Sequence, residues 1–253
     1  MPNAVELLGV PVAVTTKPDA VALLQTWMRA GDGRSRAAFI ANAHTLNLAW
    51  EDDGYRDVLR RADVVLGDGV GVRLAARMKG VRLEDNLVGT DLLPLFFRST
   101  PAARYFLLGA SADTVSRAVE RLGREFPGIR IVGHHHGYVH ALDPRRLLDT
   151  INRAAPDMLI VAMGNPLQER WIHDHLPLLR VPVSIGVGGL FDHWAGNLRR
   201  APLWMRRLGL EWLHILASQP YKWRRYVLGN PKFVYRALRS AHLDGPAPLP
   251  SRT

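Results

Sequence analysis

The sequence contains no cysteine, and this absence removes several classes of site at once. A chain without cysteine has no disulfide framework, no cysteine-ligated zinc, no iron–sulfur cluster and no thiol nucleophile. It also has no run of about 18 apolar residues, so no transmembrane helix is predicted. The N-terminal residues lack a basic run followed by a long apolar stretch, which predicts a cytoplasmic protein without a signal peptide.

Acidic residues are scarce at the C-terminal end. From Gly196 to Thr253 the chain has eleven Lys or Arg but only Glu211 and Asp244 as acidic residues, within a total net charge of +10. We therefore divide the chain into a nearly neutral body, residues 1–195, and a basic helical appendage, residues 196–253. This asymmetry predicts an anionic partner for the appendage, either a membrane surface or nucleic acid.

The aromatic residues of the appendage favour the membrane. Trp and Tyr stand beside Lys and Arg around Tyr221–Tyr226, a composition that suits the headgroup level of a bilayer. No RRM or KH motif is present, so no nucleic-acid partner is predicted. We expect one helix over residues 201–219, with Trp204, Leu208 and Trp212 on a common stripe, and a short helix after Asn230-Pro231.

Short apolar runs alternate with helical patterns along the body. Several runs are almost continuously apolar, as strands buried on both faces are. The alternation predicts an α/β fold in which helices cover both faces of a mostly parallel sheet. The strands are expected near 37–41, 63–66, 105–108, 129–132, 158–163 and 183–187, and the helices near 17–30, 44–60, 69–79, 90–99, 111–126, 143–154 and 167–178.

Glycines follow most of the predicted strands. In parallel α/β sheets, ligands bind beyond the carboxyl ends of the strands, and glycine lets backbone N–H groups approach a phosphate there. The alternative is that each glycine only makes a tight turn. Together with the polar residues between them, the glycines favour a nucleotide-type ligand; they include Gly67, Gly69, Gly109, Gly164 and Gly188.

Asp68 is the candidate reactive residue. It lies between Gly67 and Gly69 at a predicted strand end. Because glycine has no side chain, little shields the carboxylate from a ligand. A general base needs such access to a hydroxyl proton. The structural alternative is that Asp68 caps the helix that starts near Gly69.

Two other chemistries are disfavoured by spacing. The glycines at 67, 69 and 71 follow GxGxG rather than the GxGxxG of dinucleotide-binding folds, which argues against a dehydrogenase. His134–His136 are consecutive, and consecutive residues of an extended segment point to opposite sides. The sequence also lacks HExxH and an Asp-x-Asp pair, so no metal site is predicted.

Several motifs together resemble one family, the WecG/TagA/CpsF bacterial glycosyltransferases, in the expected order over nearly the whole chain. They are GDGVG, VGTDL, LLGAS, Gly137-Tyr138, MGNPLQERW and the specific stretch from Gly186 to Leu213. The resemblance implies a Rossmann-like α/β body, a C-terminal appendage that meets the membrane, and neither metal nor cofactor. It implies an inverting transfer of a hexose from a UDP-sugar to a monosaccharide linked through diphosphate to undecaprenol. This activity would belong to surface or exopolysaccharide synthesis on the inner face of the plasma membrane.

The resemblance also implies roles for individual residues. The family's catalytic base matches Asp68, and its active-site Asn and Gln match Asn42 and Gln168. Arginines of the appendage would meet the lipid diphosphate. The substrate-binding candidates are Asn42, Thr45, Gly67, Gly69, Gly109, Tyr138, Gly164, Gln168, Glu169, Gly188 and Asp192, and the candidates for lipid diphosphate or membrane are Arg207, Lys222, Arg224 and Arg225.

Two departures from the family pattern bear on the donor sugar. Ile40 stands where members often have Thr, and Asn86 where many have Arg. The Asn-Ala-His-Thr form is similar to the exopolysaccharide branch, which favours glucose and leaves N-acetylmannosamine or its uronic acid open. A non-catalytic basic module that binds membrane or RNA would explain the appendage but not Asp68, Gln168 and Asp192. Self-association into a homo-oligomer is left open.

Overall fold

The molecule is built around a six-stranded parallel sheet. The computed structural model describes residues 2–139, 144–208 and 210–244. The sheet order is β4-β3-β8-β7-β5-β6, and every neighbouring pair is parallel. The α/β prediction is therefore confirmed. The described strands are β1 (Ala4–Leu7), β2 (Val10–Ala13), β3 (Arg36–Ala41), β4 (Val64–Gly67), β5 (Arg104–Gly109), β6 (Arg130–His135), β7 (Met158–Ala162) and β8 (Val183–Gly186).

Helices cover both faces of the sheet. Successive residues of β3 alternate between the two sides, so Phe39 packs into one apolar core and Ile40 into the other. The described helices are α1 (Lys17–Arg29), α2 (Ala43–Glu51), α3 (Asp53–Arg60), α4 (Val70–Met78), α5 (Gly89–Ser99), α6 (Ala112–Glu125), α7 (Pro144–Ala154), α8 (Leu167–His175), α9 (Leu190–Trp194), α10 (Leu203–Arg207), α11 (Glu211–Ser218) and α12 (Gly229–Asp244), with a 3₁₀ turn at Pro220–Lys222 and a π-helical turn at Arg224–Leu228.

An N-terminal hairpin was not expected from the sequence. Strands β1 and β2 pair antiparallel, with Leu7 opposite Val10, so only Leu8 and Gly9 form the turn. Both turn residues have positive φ, 51° and 79°. Hairpin turns of this kind favour Asn-Gly or Asp-Gly, and Leu at the first position hides the signal. Leu8 is 2% exposed, so its burial compensates for the unfavourable backbone angle.

Two predicted helices are broken in the structure. The segment 44–60 forms α2 and α3, because Asp52 takes an extended conformation and accepts a hydrogen bond from the Tyr55 N–H at 2.8 Å, which caps the second helix. The segment 201–219 forms α10 and α11, so Trp204 and Trp212 do not share one continuous stripe. No helix among the described residues is long and apolar enough to cross a bilayer.

The last helix fastens the appendage to the body. On α12, Phe233 is 1% exposed and lies in the core that also holds residues of α2 and α4. Arg236 donates to the Asn47 Oδ1 at 3.0 Å and to the Glu51 Oε1 at 2.8 Å. Lys232 pairs with the same carboxylate at 2.5 Å. Two of the basic residues of the appendage are therefore held by the body and not by an external partner.

Removing the Phe233 ring should loosen this attachment. We expect Phe233→Ala to lower the free energy of unfolding by about 3 to 5 kcal/mol, because it deletes a fully buried aromatic side chain. Tyr235 lies on the same helix but is 66% exposed. Tyr235→Ala should cost less than about 0.5 kcal/mol. Urea denaturation of both variants tests this, and equal losses would contradict the docking of α12.

Candidate active site

A cavity of about 790 Å³ opens at the carboxyl ends of the parallel strands. Residues that follow β3, β4, β5, β7 and β8 form one wall, as expected for a ligand site in such a sheet. The appendage forms the facing wall. The strand-end residues include Asn42, Asp68, Gly69, Ala110, Gly164 and Gly188, and the appendage residues include Glu211, Trp212, Lys222, Arg225 and Tyr226.

Asp68 lies in the wall of the cavity and has no hydrogen bond to its carboxylate from any described residue. Its backbone N–H donates to the Ala41 carbonyl at 2.8 Å, which fixes the turn after β4. The N-cap of α4 is Gly69, and no side chain caps this helix. The structural alternative, in which Asp68 is the cap, is therefore wrong, and the carboxylate is available to a ligand.

The surroundings of Asp68 favour its protonated form. Burial and the nearby Glu211 carboxylate together raise the pKa of Asp68 to about 7, although Arg225 opposes the rise. A carboxyl group with such a pKa is divided between its two protonation states near neutral pH. This is the range in which a general base works best.

Asn42 connects the cavity to helix α2. Its Oδ1 accepts hydrogen bonds from the backbone N–H groups of His44 and Thr45, at 3.0 and 3.2 Å, and caps the helix. Arg225 of the appendage donates to the same oxygen at 3.3 Å. Thr45 is fully buried, does not line the cavity, and completes the cap by accepting from the Asn42 N–H. Of this predicted pair, only Asn42 faces the ligand space.

Gln168 and Glu169 lie beneath the cavity and do not line it. Gln168 is 1% exposed, and its Oε1 accepts from the Gly188 N–H at 2.9 Å. Its Nε2 donates to the Glu169 Oε1 at 2.7 Å, and Asn165 donates to that oxygen at 2.6 Å. Burial raises the pKa of Glu169 to about 7. The two predicted substrate-binding residues thus hold the turns that form the cavity floor.

The glycines differ in what they offer a ligand. Gly69, Gly164 and Gly188 line the cavity, whereas Gly67 and Gly109 end strands behind it. The Gly69 N–H donates to the Asn86 Oδ1 at 2.6 Å, and the Gly188 N–H is held by Gln168. Both amides therefore already have hydrogen-bond partners in this structure, and a phosphate contact with them stays a prediction.

Tyr138 and Asp192 line the part of the cavity near α6 and α9. Tyr138 is 70% exposed, so its ring is available for stacking. The Asp192 Oδ1 accepts from Asn197 at 2.9 Å, and Asn197 in turn accepts from Arg117 at 2.7 Å. Asp192 is thereby fixed in orientation at the cavity edge.

The predicted basic residues of the appendage fall into three groups. Lys222 and Arg225 line the cavity, and burial together with the neighbouring Arg225 lowers the pKa of Lys222. Arg224 is exposed, and its guanidinium lies 5.5 Å from the centre of the Trp223 ring. Arg207 ends α10, and its side chain lies outside the described residues.

The sequence analysis did not select three residues that line the cavity, His44, Glu211 and Tyr226. Burial and the charge of Arg225 lower the pKa of His44 to about 4, so its imidazole is neutral at pH 7. Glu211 stands out in the sequence as one of two acidic residues in a basic segment, but that signal alone does not place it at the cavity. Among the described residues, no three His, Asp or Glu side chains come together as a metal-binding group.

Comparison with known proteins identifies the family of this chain. The family model described as "Glycosyl transferase WecG/TagA/CpsF family" matches residues 5–245. The chain belongs to this family. The predicted family and the prediction of a glycosyltransferase are both confirmed, and the non-catalytic alternative gains no support.

Three relatives of this family member carry the same name, N-acetylglucosaminyldiphosphoundecaprenol N-acetyl-beta-D-mannosaminyltransferase. The protein from Bacillus subtilis (strain 168) is 39% identical over 76% of this chain and 74% of its own. The one from Bacillus spizizenii is 37% identical over 81% and 80%. The one from Staphylococcus aureus (strain NCTC 8325 / PS 47) is 31% identical over 93% and 92%.

The raised pKa of Asp68 should make this side chain destabilising at neutral and higher pH. The folded state keeps a proton up to about pH 7 that the unfolded state loses near pH 3.8, so the free energy of unfolding falls as pH rises through this window. We expect Asp68→Asn to be more stable than the natural protein at about pH 8, by about 1 to 3 kcal/mol, and equally stable near pH 4.

Urea denaturation at both pH values measures this difference. Glu84→Gln is the matched control, since Glu84 is an exposed acid outside the cavity. A stability difference for Asp68→Asn that does not change with pH would contradict the raised pKa.

Proposed function

We propose that this glycosyltransferase moves a sugar from a UDP-sugar to a monosaccharide linked through diphosphate to undecaprenol. The observation that carries the proposal is the pairing of Asp68, a carboxyl group without a hydrogen-bond partner among the described residues, with a cationic wall across the same cavity. The relatives' names support the acceptor, because each names a diphosphoundecaprenol-linked N-acetylglucosamine. The donor nucleotide follows from the reaction type.

In this reaction Asp68 is the general base. Its carboxylate takes the proton of the attacking acceptor hydroxyl, whose oxygen forms a bond to the anomeric carbon of the donor. The bond from that carbon to the diphosphate breaks, and its electron pair leaves with the UDP oxygen. Attack in line with the leaving group inverts the anomeric centre. The pKa of about 7 suits this step, since a substantial fraction of Asp68 is ionised at neutral pH.

Lys222 and Arg225 are suited to hold a diphosphate. Both line the cavity, and the Arg225 Nε is buried without a hydrogen-bond partner among the described residues. A buried guanidinium N–H without an acceptor favours an anionic oxygen of the substrate. These cations, and not the amides of Gly69 and Gly188, are therefore proposed to stabilise the charge on the diphosphate.

The donor sugar has two candidates. The Asn-Ala-His-Thr segment favours glucose, which stays a prediction, whereas the relatives' names support N-acetylmannosamine. We favour N-acetylmannosamine. Assays with UDP-glucose and UDP-N-acetylmannosamine, each with a lipid-linked N-acetylglucosamine acceptor and in the presence of EDTA, distinguish the two donors and test independence from metal.

Asp68→Asn should abolish most transfer and leave nucleotide binding nearly unchanged. We expect kcat to fall by about 100- to 10,000-fold, the range lost when a general base is removed. Calorimetric titration with UDP, with ADP and NAD as controls, measures binding separately. Glu84→Gln should retain full activity, and strong residual turnover by Asp68→Asn would refute its role as the base.

A lipid-linked acceptor requires contact with the membrane surface, which the appendage can supply. Its exposed apolar side chains include Leu203, Trp204, Leu208, Tyr221 and Trp223, with exposures from 46% to 74%. They stand beside the basic residues described above. We propose that this surface, with its aromatic rings and positive charge, holds the enzyme on an anionic bilayer.

Polar substitutions in α10 and the residue after it should weaken vesicle binding. Trp204→Ser and Leu208→Ser remove side chains that are 59% and 68% exposed, and we expect each to reduce binding by about tenfold or more. Leu178→Ser is the control, because Leu178 is 60% exposed on the body. Sedimentation with anionic vesicles measures the effect, and equal binding by all three variants would exclude this surface.

A further inference from the structure

Glu211 is an unexpected residue in the wall of the cavity. It is the first residue of α11 and one of only two acidic residues after residue 195, yet it faces the same space as Asp68. The cationic appendage therefore brings a carboxylate, and not only positive charge, to the candidate base. An acid at a helix N-terminus also stabilises the helix dipole, which is the purely structural explanation for its presence.

Among the side chains that the structure describes, Glu211 has only a loose ion pair. Its Oε1 lies 4.0 Å from the Arg200 Nε, and its side chain is 28% exposed. Arg200 is committed more closely to the body, with its Nη1 at 2.6 Å from the Asp91 Oδ1 and 3.4 Å from the Thr90 carbonyl. No described residue donates a hydrogen bond to Glu211. Arg200 thus holds the carboxylate in place without neutralising it by a close ion pair.

We propose that Glu211 is a positioning residue of the active site, which keeps the Asp68 carboxyl basic enough to accept the proton of the acceptor hydroxyl. The inference rests on the proposed role of Asp68 as the general base. Glu211 does not need to touch the substrate in this role. It acts by placing a second negative charge in the cavity, which makes loss of the Asp68 proton less favourable and the resulting carboxylate a stronger base.

Charges of both signs face Asp68 from the body and the appendage. Glu211 and Asp91 favour its protonated form, whereas Arg225 and Arg200 favour the ionised form. The phenol of Tyr226 interacts with the same charges. Burial raises its pKa, Arg225 lowers it, and the carboxylates of Asp68 and Glu211 raise it. Removing one charge at a time should therefore move the protonation of Asp68 in a direction set by the sign of that charge.

The test is a carbon NMR titration of the Asp68 side-chain carboxyl in the full chain, with its signal assigned by its loss in Asp68→Asn. We expect Glu211→Gln to lower the midpoint by about 0.5 to 1 pH unit, a shift of the size that protein environments produce. Arg200→Gln should raise it. Opposite shifts from two residues in contact separate a charge effect from structural damage, which would not follow the sign of the lost charge.

Glu84→Gln is the control of the same chemistry, and it should leave the titration of Asp68 unchanged. The acidic limb of the pH profile of kcat/KM should move with the NMR midpoint in Glu211→Gln and in Arg200→Gln. An unchanged midpoint in Glu211→Gln would overturn the inference while leaving Asp68 as the base. Strong turnover by Asp68→Asn, together with a shifted midpoint, would instead refute the proposed function and leave the charge coupling intact.

Discussion

The attachment of α12 to α2 is the interaction on which the candidate site depends. Arg236 is 9% exposed, and its guanidinium would be costly to bury alone, but Asn47 and Glu51 accept its hydrogen bonds. Asn42, the N-cap of α2, lines the cavity and accepts a hydrogen bond from Arg225. Helix α2 therefore has a cavity-lining side chain at its N-terminus and the anchor of the appendage near its C-terminus.

Much of the fold follows from local sequence patterns, and its exceptions have identifiable causes. The strands of the parallel sheet are short apolar runs, because both of their faces are buried, and this is the strongest signal a sequence can give. The hairpin of β1 and β2 is hidden because Leu8 takes a positive φ that local preference disfavours. The break between α2 and α3 depends on Asp52, which caps α3, and the apolar periodicity of the segment does not show this break.

The sequence predicts the cavity-lining residues best where they directly follow a strand. Asp68, Asn42 and Gly188 follow strands that end at the same edge of the sheet, so they meet in one cavity. Gln168 shows the limit of this reasoning, because it follows a strand but turns beneath the floor to hold a backbone amide. Glu211 shows the converse case: its place in the sequence does not predict a cavity residue, and only the tertiary position of α11 brings it there.

The contacts between α2 and α12 join residues 181 to 189 positions apart in the chain. During synthesis the strand ends of the body leave the ribosome first, whereas the wall that holds Arg225 is fixed only after α12 has left the ribosome. Asp68 is thus made before the cationic wall that faces it across the cavity. The order of translation itself delays assembly of the complete site until α12 has been synthesised.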